Sequence, residues 1–439
     1  MASTTAPARS QINVVAFASA IGCTIEWYDF FLYGTVTGLV FNKLFFPTFN
    51  PVVGTLLAYT TFAVGFVTRP IGGIIFGHFG DRFGRKRMLV LTLSIMGIAT
   101  FLIGFLPTYA QVGVLAPIML LCIRVVQGIG IGGEWGGAVL MAAEHAPSDR
   151  RGFYASWVQI GVPAGLALGT GTVAILSSFG DAFFLGIGWR LAFLASVVLV
   201  VVGVYIRLKI VETPAFEQTR VANKIAPVPF ATLMRTAWRN VLLGMGVRWI
   251  EGVGFNLYGV FLIAYLAGTL KYPRSQVLTA VTLAAIVMAF FIPYFGKLSD
   301  RIGRRRVFAA GAIATGILVF PAFMLMQSGV GWIWVGIGIP FGIAYAALYG
   351  PEAALFSELF DTPVRYSGIS FVYQFSGIFA SGLTPLIAAW LVAANHGAPW
   401  FVASYVAAVA SVSLICVLSI RQTYAAERGG LAEPLAAGI

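Results

Sequence analysis

The sequence predicts an all-α polytopic membrane protein with twelve transmembrane helices in two six-helix halves. Of its 439 residues, 59% are hydrophobic and only 10% are charged, whereas soluble domains carry about 25% charged residues. Long apolar runs recur along the whole chain, and about 20 apolar residues suffice to cross a bilayer. A charged loop at 77–87 recurs at 296–306, and each copy lies between two apolar runs. A duplicated helical unit of this kind is typical of secondary transporters.

The apolar runs, read between charged or Pro/Gly-containing breaks, define the twelve spans. Their predicted bounds are roughly 15–40, 52–76, 88–106, 112–140, 154–178, 188–208, 240–268, 277–296, 307–327, 331–356, 367–394 and 400–420. An even number of spans places both termini on the same side of the membrane. Most of the 28 Lys and Arg residues then lie on that side, which the positive-inside rule identifies as the cytoplasm.

The longest polar connection divides the chain. We expect an N-terminal half over residues 1–208, a cytoplasmic loop over 209–239, and a C-terminal half with a short tail over 240–439. The net charge of +12 would suggest a nucleic-acid partner if the basic residues formed one face. They lie in short loops instead, so we expect a lipid bilayer as the partner and no nucleic acid.

The duplication extends beyond the charged loop. In each half a glutamate follows the fourth span, an arginine opens the fifth, and a glutamine lies deeper in the fifth. These residues are Glu144, Arg151 and Gln159 in the first half and Glu358, Arg365 and Gln374 in the second. The three cysteines lie in apolar runs without CxxC spacing, so neither a disulfide nor a metal site is expected. The sequence shows no nucleophile–base pair, so an enzyme is not expected.

Several blocks carry a family resemblance. The loop 77–87 resembles the signature of the major facilitator superfamily. The blocks 26–30, 69–73, 124–137 and 212–216 resemble the metabolite:proton symporter family. This resemblance implies a monomeric transporter of the bacterial inner membrane that imports organic anions, such as 2-oxoglutarate, citrate and shikimate, together with protons. It also implies that the proton gradient replaces any cofactor. The alternative substrates are zwitterions such as proline and betaine, and proton-coupled export is a further alternative.

Charged residues inside membrane spans are costly, about 2.5–3.5 kcal/mol each, and usually mark a pathway or a pair. Asp29 in span one and Arg124 in span four resemble the coupling pair of proton-coupled sugar porters. Burial favours the neutral form of a carboxyl group, whereas a nearby cation favours the charged form. Movement of Arg124 would therefore load or release a proton on Asp29. Glu26, one turn earlier, is the alternative proton carrier, and a static Asp29–Arg124 pair is the structural alternative.

Other interior polar residues are candidates for substrate binding. Arg69 lies about two helical turns inside the cytoplasmic boundary, where it could bind a carboxylate or instead pair with Glu134. Arg248 in span seven could bind an anion or pair with Glu251, one turn away. Arg124 is a candidate for both coupling and binding. The remaining candidates are Gln159, Asn256, Tyr373 and Gln374.

The repeated loops predict a cytoplasmic gate. Each loop has an aspartate that could accept hydrogen bonds from the start of the following helix, and each has arginines that could pair with acids across the bundle. Such a network would form when the cytoplasmic side is closed. The alternative is that the charges only hold the loops inside. The gating candidates are Asp81, Arg85, Glu144, Arg151, Asp300, Arg304, Glu358 and Arg365.

Overall fold

The computed structural model describes residues 9–48, 51–209 and 229–420. Within these ranges long helices dominate and no strand occurs. The twelve long helical segments are α1 (Arg9–Val36), α2 (Pro51–Phe83), α3 (Arg85–Ile103), α4 (Leu115–His145), α5 (Arg151–Ser177), α6 (Trp189–Lys209), α7 (Trp238–Thr269), α8 (Arg274–Ile302), α9 (Arg304–Ser328), α10 (Val330–Ser357), α11 (Thr362–Ala394) and α12 (Trp400–Ser419). A short helix, Pro229–Thr236, precedes α7.

The all-α polytopic fold class is confirmed. Among the described residues, eleven helices are long and apolar enough to cross a membrane. The predicted span 52–76 corresponds to α2, a helix of 33 residues. Several helices run past their predicted ends; α4, for example, continues to His145. The extra turns carry polar residues that the apolar pattern could not include. Most of the predicted connection 209–239 lies outside the described residues.

Some helices contain π-helical turns. In α10 such a turn occupies Gly338–Ala344, whereas the helix is continuous through Pro351 from Tyr345 to Ser357. Pro351 therefore does not break α10. Proline removes one backbone hydrogen bond, but helices buried in a bundle tolerate the loss because neighbours satisfy the freed groups.

Each repeated loop turns the chain at a glycine. Gly84 joins α2 to α3 with φ of 110°, and Gly303 joins α8 to α9 with φ of 101°. A side chain at either position would be strained, because residues other than glycine rarely adopt this part of backbone space. The glycine in the sequence repeat is thus explained by the backbone of the turn.

The two halves meet through close helix–helix contacts. In α5 and α8, Gly152 and Gly296 approach so closely that a Cβ atom on either would meet the backbone oxygen of the other. On the pseudo-equivalent interface, a Cβ on Gly77 of α2 would meet the backbone of Ser367 in α11. Small residues permit such backbone approach between membrane helices. Two interhelical interfaces, α2–α11 and α5–α8, therefore join the halves on the side of the repeated loops.

A buried ion pair ties α6 to α4. Arg207 and Glu134 form this pair, with a second contact of 3.0 Å between Arg207 Nη1 and Glu134 Oε2. The Thr92 hydroxyl of α3 donates to the same carboxylate at 2.8 Å. The proposed Arg69–Glu134 pair is therefore wrong, because Glu134 pairs with Arg207. Arg207 lies far along α6, and the sequence did not reveal that its side chain turns inward.

We predict that Glu134→Ala lowers the thermal unfolding midpoint of the protein in detergent. Removing one partner of a buried ion pair leaves an uncompensated buried charge on Arg207, at a cost of about 3–5 kcal/mol. Fluorescence-monitored thermal unfolding would measure the shift.

Asp149→Ala is the matched control. The Asp149 side chain is 75% exposed and pairs with Arg150 at 3.7 Å, and exposed pairs contribute about 1 kcal/mol or less. Equal midpoints for the two variants would contradict a stabilising role of the α4–α6 pair.

Candidate functional site

A small central cavity lies between the two halves. Its walls come from α1 and α2 of the first half and from α7 and α11 of the second. The lining residues are Trp27, Phe30, Phe66, Arg69, Arg248, Glu251, Phe255, Asn256, Tyr373, Gln374, Gly377 and Ser381. Aromatic side chains surround a few polar and charged groups, as is typical of small-molecule sites.

Arg69 faces this cavity with few protein contacts. Its side chain is buried, with 6% of the residue exposed. The guanidinium lies over the Phe66 ring at 4.4 Å and over the Phe30 ring at 5.4 Å. Among the described residues it makes no hydrogen bond and no ion pair, and its Nε atom is buried without a partner. A buried cation in this setting is poorly compensated.

Arg248 is in the opposite situation. It forms an ion pair with Glu251 one turn along α7, and its Nε atom lies 3.9 Å from Glu352 Oε1 in α10. Glu251 also accepts a hydrogen bond of 2.5 Å from the Tyr345 hydroxyl. The sequence left open whether Arg248 binds an anion or pairs with Glu251; in the structure it pairs while still lining the cavity.

An aromatic stack lies against the cavity. The Arg248 guanidinium lies 4.1 Å above the Tyr373 ring, and Tyr373 stacks on Trp135 with ring centroids 3.6 Å apart. Trp135 Nε1 donates to Gln159 Oε1 at 2.9 Å, and Gln159 Nε2 donates to the Tyr349 carbonyl at 3.3 Å. Tyr373 therefore lines the cavity as expected. Gln159 does not: it is fully buried and holds Trp135 in place.

The two predicted amide side chains do line the cavity. Asn256 Nδ2 donates to the Gly252 carbonyl at 2.9 Å, and Gln374 Nε2 donates to the Ile131 carbonyl at 3.4 Å. Each amide also has an oxygen that can accept a hydrogen bond. Both are therefore available for uncharged polar groups of a ligand.

Asp29 lies in a separate buried network in the first half. Gln127 bridges the predicted pair: its Nε2 donates to Asp29, and its Oε1 accepts from Arg124. Thr100 Oγ1 donates to Asp29 Oδ1 at 2.6 Å, and the Arg124 guanidinium lies 3.8 Å from the Tyr33 ring centre. Asp29 and Arg124 are thus brought together through an amide, and neither lines the central cavity.

Glu26 lies one turn before Asp29 on α1. It is buried, with 4% of the residue exposed, and its Oε2 atom has no hydrogen-bond partner among the described residues. Arg69 and Arg207 are within electrostatic range of its carboxyl group. Glu26 therefore interacts electrostatically with both the cavity cation Arg69 and the Glu134–Arg207 pair.

The aspartates of the repeated loops cap helices of the opposite half. Asp81 accepts hydrogen bonds from the backbone N–H groups of Tyr366 and Ser367 at 3.2 and 3.0 Å. Asp300 accepts from the N–H groups of Gly152 and Phe153 at 2.8 and 2.9 Å. The expectation that each aspartate caps the helix that follows it is therefore wrong. The free N–H groups at a helix start attract a carboxylate, and here the two caps are exchanged between halves.

Ion pairs surround each cap in a related pattern. Glu144 lies 3.7 Å from Arg85 of its own half and 3.1 Å from Arg365 of the other half. Glu358 lies 3.1 Å from Arg304 and also interacts electrostatically with Arg151 across the interface. Arg85 and Arg304 also reach Asp81 and Asp300, at 3.6 and 2.7 Å. All eight predicted gating residues thus belong to two clusters.

Burial raises the pKa of the Glu358 carboxyl group above its usual value, although Arg304 and Arg151 oppose the shift. The desolvation of Glu358 therefore outweighs the stabilisation of its charged form by Arg304 and Arg151, so this carboxyl group binds a proton at a higher pH than an exposed glutamate does.

Three residues with clear contacts were absent from the candidate set. Gln127 lies one turn after Arg124, so its position on the same face was a usable signal. Trp135 corresponds to Tyr349 in the duplicated half, which marked both as equivalent. Thr100 gave no signal, because its contact with Asp29 depends on how α3 packs against α1.

Comparison with known proteins agrees with this architecture. Residues 15–424 match the family model described as Sugar (and other) transporter. The chain is 39% identical to the shikimate transporter of Escherichia coli K12, over 94% of this chain and 95% of the relative. It is 40% identical to the inner membrane metabolite transport protein YhjE of the same strain, over 94% of each chain. It is also 36% identical to the Escherichia coli K12 proline/betaine transporter, over 92% and 83%.

The fold is similar to that of solved transporters. The proton:xylose symporter XylE bound to 6-bromo-6-deoxy-D-glucose superposes with a TM-score of 0.72 at 18% identity, covering 93% of this chain and 95% of that one. A second structure, the partially occluded inward-open XylE from E. coli, gives a TM-score of 0.68. The protein is therefore a multi-pass transporter, not an enzyme, and belongs to the sugar (and other) transporter family of the major facilitator superfamily.

Proposed function

We propose that this protein imports a small organic carboxylate together with protons, by alternating access, through a bacterial inner membrane. The observation that carries this proposal is Arg69, a buried cation that faces the cavity without a hydrogen bond or ion pair among the described residues. A guanidinium presents a planar set of donors that matches a carboxylate. Glu26 interacts electrostatically with Arg69 but forms no ion pair with it among the described residues, so a substrate carboxylate would supply the direct anionic partner.

The rocking units in this proposal are residues 1–208 and 240–439, acting as a monomer with both termini in the cytoplasm. The two helix caps and their ion pairs link these units on the side of the repeated loops. Each link is made of reversible polar contacts, so the same groups can separate when the halves rock. This supports a gate that closes the cytoplasmic side and opens it in turn.

Proton coupling is assigned to Asp29, Arg124 and the bridging Gln127. While Gln127 holds Arg124 next to Asp29, the carboxylate is stabilised in its charged form. A shift of α4 relative to α1 would separate Arg124 from Asp29 and leave a buried carboxylate without a nearby cation. Protonation of Asp29 then costs less free energy than keeping the charge buried. Glu26 is the second candidate, because its carboxyl group interacts electrostatically with the cavity cation Arg69.

A zwitterion is the second candidate substrate. Trp27 and Phe255 come from opposite halves, and their ring centroids lie 5.6 Å apart beside the cavity. Aromatic faces attract quaternary ammonium groups, and the proline/betaine transporter is a relative of this chain. In this case Arg69 would still bind the carboxylate.

We predict that Asp29→Asn preserves substrate exchange but abolishes proton-driven accumulation. The amide oxygen can still accept a hydrogen bond from Gln127, and the amide NH2 can donate to the Thr100 hydroxyl, but the amide cannot carry a proton at physiological pH. Proteoliposomes loaded with substrate report exchange, and an imposed pH gradient reports accumulation.

The exposed Asp149→Asn variant serves as the control and should behave as wild type. Full accumulation by Asp29→Asn would exclude Asp29 as the coupling residue and transfer the role to Glu26. Uptake that is abolished by a protonophore in the wild type would support symport, whereas proton-driven efflux would support export.

We also predict that Asp81→Asn favours opening of the cytoplasmic side. The neutral amide loses the charge-assisted hydrogen bonds to Tyr366 and Ser367. Ser370 is fully buried at this interface, so a cysteine there reports opening. In a background without the three native cysteines, modification of Ser370→Cys by a cytoplasmic maleimide should accelerate at least about tenfold, equivalent to about 1.4 kcal/mol.

Asp361→Asn, an exposed aspartate in the α10–α11 connection, is the control and should leave the modification rate unchanged. An unchanged rate in Asp81→Asn as well would show that the cap does not determine the closed state.

A further inference from the structure

We infer that the substrate of this transporter carries a single carboxylate group. This inference rests on the proposed function and narrows it, because the relevant alternatives are dicarboxylates and tricarboxylates. It follows from the different surroundings of the two arginines that line the central cavity, Arg69 and Arg248.

Arg69 can bind one anionic group. It is more than nine-tenths buried and faces the cavity, and its guanidinium lies over the Phe30 and Phe66 rings with no hydrogen bond or ion pair among the described residues. Those rings hold the guanidinium in position without using its N–H donors. A carboxylate on the cavity side would therefore meet unused donors in a fixed orientation.

Arg248 cannot offer the same to a second carboxylate. Glu251 and Glu352 both face it, and the Tyr373 ring covers one side of the guanidinium. A substrate carboxylate near Arg248 would have to displace one of these two buried carboxylates, or it would be a third acid beside a single cation. Either arrangement leaves a buried charge without compensation, which is strongly unfavourable.

The remaining wall favours uncharged groups. Trp27, Phe66 and Phe255 supply apolar surface, while Asn256 and Gln374 supply amide groups for hydroxyl or carbonyl groups of a ligand. No further cation lines the cavity among the described residues. The protonation state of Glu26 does not change the conclusion that the cavity accepts one carboxylate, because an ionised Glu26 would only reduce the net positive charge near Arg69.

The test is a competition experiment with purified protein in proteoliposomes at about pH 7.5, where simple carboxyl groups are ionised. The probes are shikimate, proline and betaine as monocarboxylates, and 2-oxoglutarate and citrate as polycarboxylates. We expect uptake of at least one monocarboxylate. Polycarboxylates should compete at least about 100-fold less well, since a tenfold change in affinity corresponds to 1.4 kcal/mol.

The outcomes separate this inference from the proposed function. A dicarboxylate or tricarboxylate that competes within about threefold of the best monocarboxylate would overturn the inference and leave carboxylate import intact. Failure to transport any carboxylate would overturn both. Uptake of betaine or proline without shikimate would keep the single carboxylate and assign the aromatic wall to a cationic group.

Variants at Arg69 and at Glu251 test the two arginine environments independently. Arg69→Gln should abolish competition by monocarboxylates, and Arg69→Lys should restore it in part. Glu251→Gln releases Arg248 from one of its two acids, so polycarboxylates should gain at least about tenfold relative to monocarboxylates. The ratio of polycarboxylate to monocarboxylate competition does not depend on how much folded protein each preparation contains.

Arg235→Gln is the matched control, because Arg235 is an exposed arginine on the short helix Pro229–Thr236. It should leave both competition and the ratio unchanged. If the ratio of polycarboxylate to monocarboxylate competition is unchanged in Glu251→Gln, Arg248 is not a neutralised cation. This result does not depend on whether the Arg69 variants fold.

Discussion

A bilayer offers no partner for a charge, so every ionised group among the helices must be compensated by the protein. This constraint organises the interior of the molecule. Arg207 is matched by Glu134, Arg248 by Glu251 with Glu352 nearby, and Asp29 by a hydrogen-bonded network that reaches Arg124. Against this background Arg69 stands out, because among the described residues its guanidinium lies over two aromatic rings and makes no hydrogen bond or ion pair. We propose that a substrate carboxylate binds beside it.

The same constraint would make the proposed gate reversible. Asp81 and Asp300 are compensated by helix N-termini of the opposite half and by arginines of their own loops. When the halves separate, each aspartate keeps its neighbouring arginine and its exposed loop regains water. The cost of opening is therefore spread over several hydrogen bonds and the Glu144–Arg365 ion pair.

Much of this could be read from the sequence, and the rest had identifiable reasons for being missed. The spans were predictable because their length is set by the bilayer. Asp29, Arg124, Arg69 and Arg248 could be singled out as candidates because charged residues inside membrane spans are rare. Gln159 was misassigned to the binding site because an isolated polar residue does not reveal which way its helix is rotated. In the structure it holds Trp135 instead.

The sequence by itself determined the class of the protein, the duplication of its halves, and the inventory of charges that the membrane region must accommodate. Only the tertiary structure decided which charges neutralise one another. Arg69 and Arg248 are equivalent in sequence terms, since each has an acid that it could plausibly reach. In the folded protein Glu134 pairs with Arg207, and two acids, Glu251 and Glu352, lie next to Arg248. Such pairing depends on the rotation and depth of helices that are distant in the chain, and no local pattern encodes those quantities.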